Sequence, residues 1–314
     1  MEYLWGHNRR YNAYSNYIKE KYGGRIQKVS LDAGFNCPNI DGTINTGGCI
    51  YCNNKGFNPS YCNTNDSIHN QLNEGIKFLS KRYRANKYIA YFQAYTNTYG
   101  HIDKLKEAYN EALSHPEISG IAIGTRPDCI TEEILNYLEE IAKNKIVILE
   151  YGIESCYDKT LKLINRGHNF EKAKEAIELS ANRGIHLVGH IIFGLPEESR
   201  EEMLNQAKII SELPINSIKF HQLQILKDTE IAKMYEINND IVKLFSLDEY
   251  IEFISEFLCH LRPSLIVQRL TSESPPYIRI APFWGNYRTD VILNKIEKYL
   301  EENNLWQGKY WNEK

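Results

Sequence analysis

The 314-residue chain predicts an α/β fold: an open six-stranded parallel (β/α)6 barrel, a partial TIM barrel, with an N-terminal extension and a small C-terminal α/β appendage. Three observations predict it. Short β-branched or aromatic runs alternate with amphipathic stretches of helical length, the pattern of right-handed βαβ units around a parallel sheet. Six such units fall between residues 26 and 227, where a closed barrel would need eight. The ends of the predicted strands also carry polar and glycine residues, as the working end of a parallel barrel does. A doubly wound sheet is the alternative arrangement of the same units.

Residues 1–25 make the extension, with Trp5, Arg9, Arg10, Tyr11, Tyr14, Tyr17, Lys19, Lys21 and Tyr22. Strands are expected at Lys28–Leu31, Lys87–Ala94, Gly120–Gly124, Lys145–Ile153, Ile185–Phe193 and Ser217–Gln224. Helices are expected between them at Ser67–Ala85, Ile102–Ser114, Thr131–Lys143, Phe170–Arg183 and Glu197–Leu213. Their apolar residues recur at helical spacing, as Leu105, Ala108, Tyr109 and Ala112 do. Residues 26–227 are thus the barrel. After Lys227 the alternation stops, and residues 228–314 read as a helix at Leu247–Leu261, a strand at Leu265–Leu270 and a helix at Thr289–Glu302. A loop with Pro275, Pro276 and Pro282 separates the last two. This appendage is expected to close the open side of the barrel.

Composition excludes several classes. Apolar residues at 42% and charged residues at 25% are ordinary globular values, unlike a disordered chain or a coiled coil. The net charge of −3 excludes a globally basic nucleic-acid binder but leaves room for a local patch. No apolar run approaches the ~18 residues of a membrane span, and the N-terminus lacks the basic-then-apolar order of a signal peptide. A cytoplasmic protein is expected. Seven cysteines then read as free thiols, because disulfides are rare in that compartment. Cys129, Cys156 and Cys259 are scattered and read as small buried hydrophobes.

The other four, Cys37, Cys49, Cys52 and Cys62, lie together after the first strand. Three of them share the phrase LDAGFNCPNIDGTINTGGCIYCNNKG, with spacing C-x11-C-x2-C. Its glycines let the loop fold back so that thiolates can converge. A C-x2-C pair serves zinc and iron–sulfur sites alike. A structural zinc site would take Cys62 as fourth ligand, whereas a three-cysteine 4Fe–4S cluster leaves one iron open. Unligated thiols are the third possibility. Position favours iron. Polar groups also stand at the later strand ends, in QAYTNTY, IGTRPDC, EYGIES, GHIIFGLPEE and KFHQLQ. A zinc staple would not require them, but a large cofactor laid across the barrel mouth would.

From about Arg10 to its end, the chain resembles the radical S-adenosylmethionine (SAM) enzymes, and among them the YhcC/YtqA-like group. That group is similar to the radical-SAM subunit of Elongator and to oxygen-independent coproporphyrinogen dehydrogenases. DAGFNCPN, Tyr51 before the third cysteine, YFQAYTNTY, GTRPDC, LEYGIES, INRGH and GLPEE carry the resemblance in order. Two departures stand out. The commonest spacing in such enzymes is C-x3-C-x2-C, and a Gly-Gly-Glu run after the second strand is replaced by Gln93-Ala94-Tyr95.

The resemblance implies that Cys37, Cys49 and Cys52 hold a 4Fe–4S cluster whose open iron chelates SAM. Reductive cleavage of SAM then yields a 5′-deoxyadenosyl radical, with a flavodoxin or ferredoxin as reductant. It further implies SAM contacts from Tyr51 near the adenine, Gln93 at the methionyl amine, Thr125 at the ribose and Glu154 at the end of the fourth strand. Arg166 would pair with the SAM carboxylate through two charge-assisted bonds, and His190 stands where relatives often have Asp. Each residue also has a plainer possibility. Arg166 could cap the helix Tyr157–Ile164, Glu150 and Glu154 could be satisfied by Arg126, and His190 could be a hydrogen-bonded core residue.

Substrate is less legible. Arg9, Arg10, Lys19, Lys21, Arg25 and Lys28 interleave with Trp5, Tyr11, Tyr14 and Tyr17, and Lys81, Arg82, Arg84 and Lys87 form a second basic run. Cations for phosphates and rings for bases make an RNA surface. With 22 tyrosines in the chain, the same residues could be general packing. Similarity to the Elongator subunit implies a tRNA base, with a wobble uridine side chain as the expected target. A small metabolite or a peptide is the alternative substrate, and a non-enzymatic zinc-stapled RNA- or protein-binding module the alternative class.

Overall fold

The computed structural model describes residues 3–53, 58–85, 87–285 and 287–312, so the last residues of the cysteine phrase, 54–56, lie outside the described residues. Seven parallel strands form one curled sheet: β1 (Ile26–Leu31), β2 (Lys87–Phe92), β3 (Ile118–Thr125), β4 (Ile146–Glu154), β5 (His186–Phe193), β6 (Ser217–Gln222) and β8 (Ile266–Arg269). Their spatial order is the order of the chain. A two-stranded antiparallel ribbon, β7 (Ile225–Leu226) with β9 (Arg279–Ala281), stands apart from it.

The seventh strand corrects the expectation of six. β8 was expected in the appendage, but it pairs in parallel with β6, placing Ser217 opposite Ile266 and Lys219 opposite Arg269. The reason is burial. Helix α9 (Leu247–His260) presents Phe253 and Phe257 to Phe193 of β5 and Phe220 of β6, with ring centroids 4.8–5.1 Å apart. A strand, a covering helix and a following parallel strand make one more βα unit, so the sheet grows by one.

The remaining helices coat the outer face: α2 (Ile68–Ser80), α3 (Ile102–Ser114), α4 (Glu132–Ala142), α5 (Asp158–Leu163), α6 (Phe170–Ser180), α7 (Arg200–Glu212), α8 (Glu230–Ile237) and α10 (Thr289–Glu302). Ser67, Thr131, Asn169 and Ser199 cap α2, α4, α6 and α7 by accepting from first-turn backbone N–H groups. None of these helices is long and apolar enough to cross a membrane.

Alternation along the strands sorts the inner face into layers. Ile26, Ile89, Ala122, Ile148 and Val188 form an apolar floor. Two residues further along their strands come Lys28, Tyr91, Gly124, Glu150 and His190, and two further still Ser30, Gln93, Gly152 and Ile192. The interior therefore turns from oily to polar towards the C-terminal strand ends. The N-terminal ends are closed by α1 (Tyr14–Tyr22), whose Tyr14 and Tyr17 rings lie 6.2 and 5.7 Å from His186 at the start of β5.

Candidate active site

A cavity of about 540 Å³ opens at the C-terminal ends of the strands. Cys37, Cys49, Tyr51, Cys52, Gln93, Thr125, Glu154, Arg166 and His190 all line it, so every site residue expected from sequence meets there. A larger groove of about 880 Å³ lies on the outer surface between α7 and the C-terminal residues Tyr310–Asn312, away from the strand ends.

The cysteine loop is pinned to the turn that follows α5. Asn39 Nδ2 donates to the Asn165 carbonyl at 2.6 Å, Asn165 Nδ2 to the Gly48 carbonyl at 2.8 Å, and Asn45 Nδ2 to Asn165 Oδ1 at 2.9 Å. The Ile50 amide bonds the Ile164 carbonyl at 3.1 Å. Gly47 and Gly48 hold φ of 81° and 78°, a left-handed bend that side chains resist. Cys49 Sγ then accepts from both Asn39 Nδ2 and Arg166 Nη1 at 3.6 Å. Burial and the neighbouring Cys49 and Cys37 push the Cys52 thiol up to about 12, as clustered thiols do without a cation to share.

The Arg166 backbone amide closes α5 by donating to the Leu161 carbonyl at 2.8 Å, but its side chain leaves the helix end. Its guanidinium points into the site, where Nη2 donates to the Gly152 carbonyl at 2.6 Å and lies 3.6 Å from Glu154 Oε1. Glu154 sits at φ 67°, beside a register shift at the end of β4, which turns its carboxyl towards Arg166 and the Tyr51 hydroxyl. Burial raises its pKa, although Arg166 opposes the shift. The Thr125 hydroxyl is shared with Thr98, and Gln93 Oε1 accepts from Ser30 Oγ at 3.0 Å.

Arg126 bonds neither Glu150 nor Glu154, although its charge favours the ionised form of Glu154. It forms a two-point pair with Asp128 at 2.9 and 2.7 Å. Its Nη1 and Arg166 Nε are buried without a hydrogen bond, on the wall that carries the cysteines. Three thiols, two guanidinium groups with unused donors and a chamber large enough for a nucleoside fit an iron–sulfur cluster with an anionic, nucleoside-bearing ligand. Among the described residues, no three His, Cys, Asp or Glu side chains converge on a single ion. Cluster thiolates bind separate irons and stand further apart than ligands of one ion. Cys62 is not part of the group: its thiol donates to the Ser30 carbonyl at 3.2 Å, and it does not line the cavity.

Sequence reasoning offered Glu150 as part of an inward-facing polar layer but not its partners. Glu150 is fully buried, pairs with Lys28 and Lys219, and accepts from Tyr91 Oη at 2.7 Å and His190 Nε2 at 3.0 Å. Burial alone would raise its pKa, but Lys219, Lys28 and His190 together hold it well below the usual carboxylate range. Burial, reinforced by Lys219, lowers His190 to about 4, so its neutral ring donates to Glu150. His190 therefore lies one layer below the rim and stacks on His221, with centroids 5.4 Å apart. The signal available in the sequence was the set of polar residues at inward positions of successive strands.

The N-terminal basic–aromatic segment does not reach the mouth, which corrects its expected role as an RNA surface there. Arg9 pairs with Glu297 of α10, and Arg10 Nη1 donates to the Leu305 carbonyl at 3.2 Å. Tyr11 is buried, and Lys28 belongs to the interior pair just described. The second basic run precedes β2, at the N-terminal end of the barrel like α1. The exposed ring on the cavity itself is Tyr95, and further exposed rings stand on the segment after β8. Tyr277, Phe283 and Tyr287 are solvent-facing, flanked by Arg279, Arg288 and Lys227, while Ser272, Glu273 and Pro275 line the cavity.

Known proteins match this arrangement. The model described as the Radical SAM superfamily matches residues 44–208, and the model described as the Radical_SAM C-terminal domain matches residues 215–302. YtqA of Bacillus subtilis is 35% identical over 303 residues, 96% of this chain and 93% of YtqA. YhcC of Escherichia coli is 33% identical over 295 residues, 94% of this chain and 93% of YhcC. The tRNA uridine(34) acetyltransferase of Methanocaldococcus infernus is 27% identical over 199 residues, 62% of this chain and 35% of that protein. The solved structure of Methanocaldococcus infernus Elp3 with an N-terminal deletion shares the fold, with a TM-score of 0.68 and 19% identity over 90% of this chain and 64% of that one.

Proposed function

This chain belongs to the radical SAM superfamily, and from that premise we propose that Cys37, Cys49 and Cys52 hold its cluster and that the chamber above Glu150 receives SAM and a tRNA base. It is a radical SAM enzyme whose cofactors are a 4Fe–4S cluster and SAM, which when bound supply reductive cleavage of a carbon–sulfur bond. The observation that carries the assignment is the shared wall of three thiols, Arg166 and Glu154. Arg166 presents a guanidinium to the SAM carboxylate, and Glu154 presents a carboxylate to its ammonium. Tyr51 orients Glu154 and offers its ring to the adenine, while Gln93 and Thr125 supply polar edges across the chamber. His190, bound to Glu150, belongs to the inner wall beneath them. A thiolate-held cluster requires reducing surroundings, so the proposed location is the cytoplasm and the proposed reductant a flavodoxin or ferredoxin.

Arg166→Lys tests the SAM end. An ammonium keeps the charge but cannot form the planar two-point contact, so SAM affinity is expected to fall by roughly tenfold or more. An anaerobic binding titration checks it. Unchanged affinity would leave Arg166 a support for the Gly152 carbonyl and the Cys49 sulfur only.

For the substrate, support comes from the partial similarity to a tRNA uridine(34) acetyltransferase and from the exposed rings on the segment whose Ser272, Glu273 and Pro275 line the cavity. Rings of this kind stack on unpaired bases, each worth about 1–3 kcal/mol. The double variant Tyr277→Ala/Phe283→Ala is expected to weaken tRNA binding by roughly ten- to a hundredfold without changing SAM affinity. Mass spectrometry of tRNA nucleosides from a strain lacking the protein tests the reaction itself. A nucleoside profile identical to the parent strain, with no tRNA binding by the holoprotein, leaves a small metabolite or a peptide as substrate.

A further inference from the structure

The barrel wall formed by β6 and β8 gathers cationic side chains: Lys219, whose pKa burial lowers well below the usual lysine range, and the solvent-exposed Arg269. Lys28 and Lys219 already share the single carboxylate of Glu150. Arg269 on β8 stands in register with Lys219 on β6, and cations side by side on neighbouring strands destabilise a sheet unless a counter-charge joins them. Arg269 lines the cavity and acts electrostatically on Tyr91, His190, Lys219 and His221. Among the described residues it has no ion-pair or hydrogen-bond partner. Glu273, which also lines the cavity, accepts from the Thr289 hydroxyl at 2.7 Å. A second polar group is also left over: His221 Nε2 is buried, faces the cavity and makes no hydrogen bond. Stacking on His190, itself fixed by Glu150, holds that ring in place.

We propose that this wall is an anion subsite, where Arg269 and His221 receive a carboxylate or phosphate group of the molecule to be modified. The subsite is separate from the SAM end of the chamber. Arg269 stands on β8 and His221 on β6, whereas Arg166 bonds the Gly152 carbonyl at the end of β4. SAM has one carboxylate, at its methionyl end, so an anion at Arg269 belongs to a different molecule. The guanidinium supplies charge and two parallel donors, and the neutral imidazole supplies one further hydrogen bond. The inference rests on the chamber being the SAM site. It narrows the substrate to an acidic one, either a nucleotide bearing its phosphate or a carboxylic acid.

Calorimetric titration of the anaerobically reconstituted holoprotein, with and without SAM, tests it with four probes: inorganic phosphate, acetate, uridine 5′-monophosphate and uridine. Binding of the monophosphate or of phosphate, but not of acetate, supports the nucleotide source. Binding of acetate supports the carboxylate source. In either case Arg269→Gln is expected to weaken the anion by roughly ten- to a hundredfold, Arg269→Lys to retain part of the affinity, and both to leave SAM affinity unchanged, with the thermal midpoint of Arg269→Gln not lowered because a like charge beside Lys219 is gone. Lys143→Gln, at the exposed end of α4 and outside the cavity, is expected to bind as the parent does. The inference is overturned if no anion binds the parent protein, if Arg269→Gln binds anions equally well, or if SAM affinity falls with it. The last result would make Arg269 the partner of the SAM carboxylate. Failure of the underlying assignment reads differently, as absence of iron or of SAM binding in the parent protein.

Discussion

Cys37→Ala, Cys49→Ala and Cys52→Ala each abolish iron retention and SAM cleavage, whereas Cys62→Ala keeps both: this is the expected result with the largest functional effect. Two thiolates cannot hold a four-iron cluster against loss of iron. Cys62 differs because its thiol is committed to the Ser30 carbonyl, outside the chamber. Asn39 and Arg166 add a finer distinction. Both donate to the Cys49 sulfur, and hydrogen bonds to cluster sulfurs shift reduction potential. Iron analysis and chromatography of SAM cleavage products check the four variants side by side. Equal iron loss in Cys62→Ala would sink the three-cysteine assignment.

The largest expected effect on stability belongs to Glu150→Gln. The substitution is nearly isosteric, but it removes the one carboxylate that accompanies Lys28 and Lys219, the latter only 6% exposed at its side chain. Leaving a buried charge unpaired costs about 3–5 kcal/mol. Urea unfolding of the parent and the variant at neutral pH measures it. Replacing both lysines by Met in the same variant removes the stranded charges along with their partner, so it is expected to recover part of the loss. A Glu150→Gln protein as stable as the parent would mean that water reaches the pair.

Much of the barrel was legible because parallel strands buried on both faces leave strong signals. The Ile102–Ser114 helix and the β5 strand ending at Phe193 are read directly from periodicity. The cysteine loop was legible from its spacing and its place after β1, whereas Glu154 and Arg166 were named only through the resemblance of LEYGIES and INRGH to radical SAM enzymes. What escaped depends on partners far apart in the chain. β8 is four residues long, and only its ladder with β6 and its cover from α9 make it part of the sheet. Glu150 finds Lys28 at a separation of 122 residues and Lys219 at 69. No local pattern records which of many lysines turns inward. The basic N-terminal segment misled for the same reason: composition gives charge, but Glu297 and the Leu305 carbonyl decide where that charge points.

That segment also sets a timetable. The Asn12 carbonyl receives the Val267 amide at 2.8 Å, the Asn12 amide donates to Gln307 Oε1 at 2.9 Å, and the Gln307 amide reaches the Arg10 carbonyl at 2.8 Å. A ribosome delivers residue 12 long before residue 307. At about 5–20 residues per second, the interval is roughly fifteen seconds to a minute. Within it the strands can pair in sequence, each with the one before, and the rings of Tyr14 and Tyr17 can meet His186 of β5. The backbone of Arg10 and Asn12 finds its partners later, at Val267 and then at Gln307. The arm is thus docked by its helix first and fastened by its backbone afterwards.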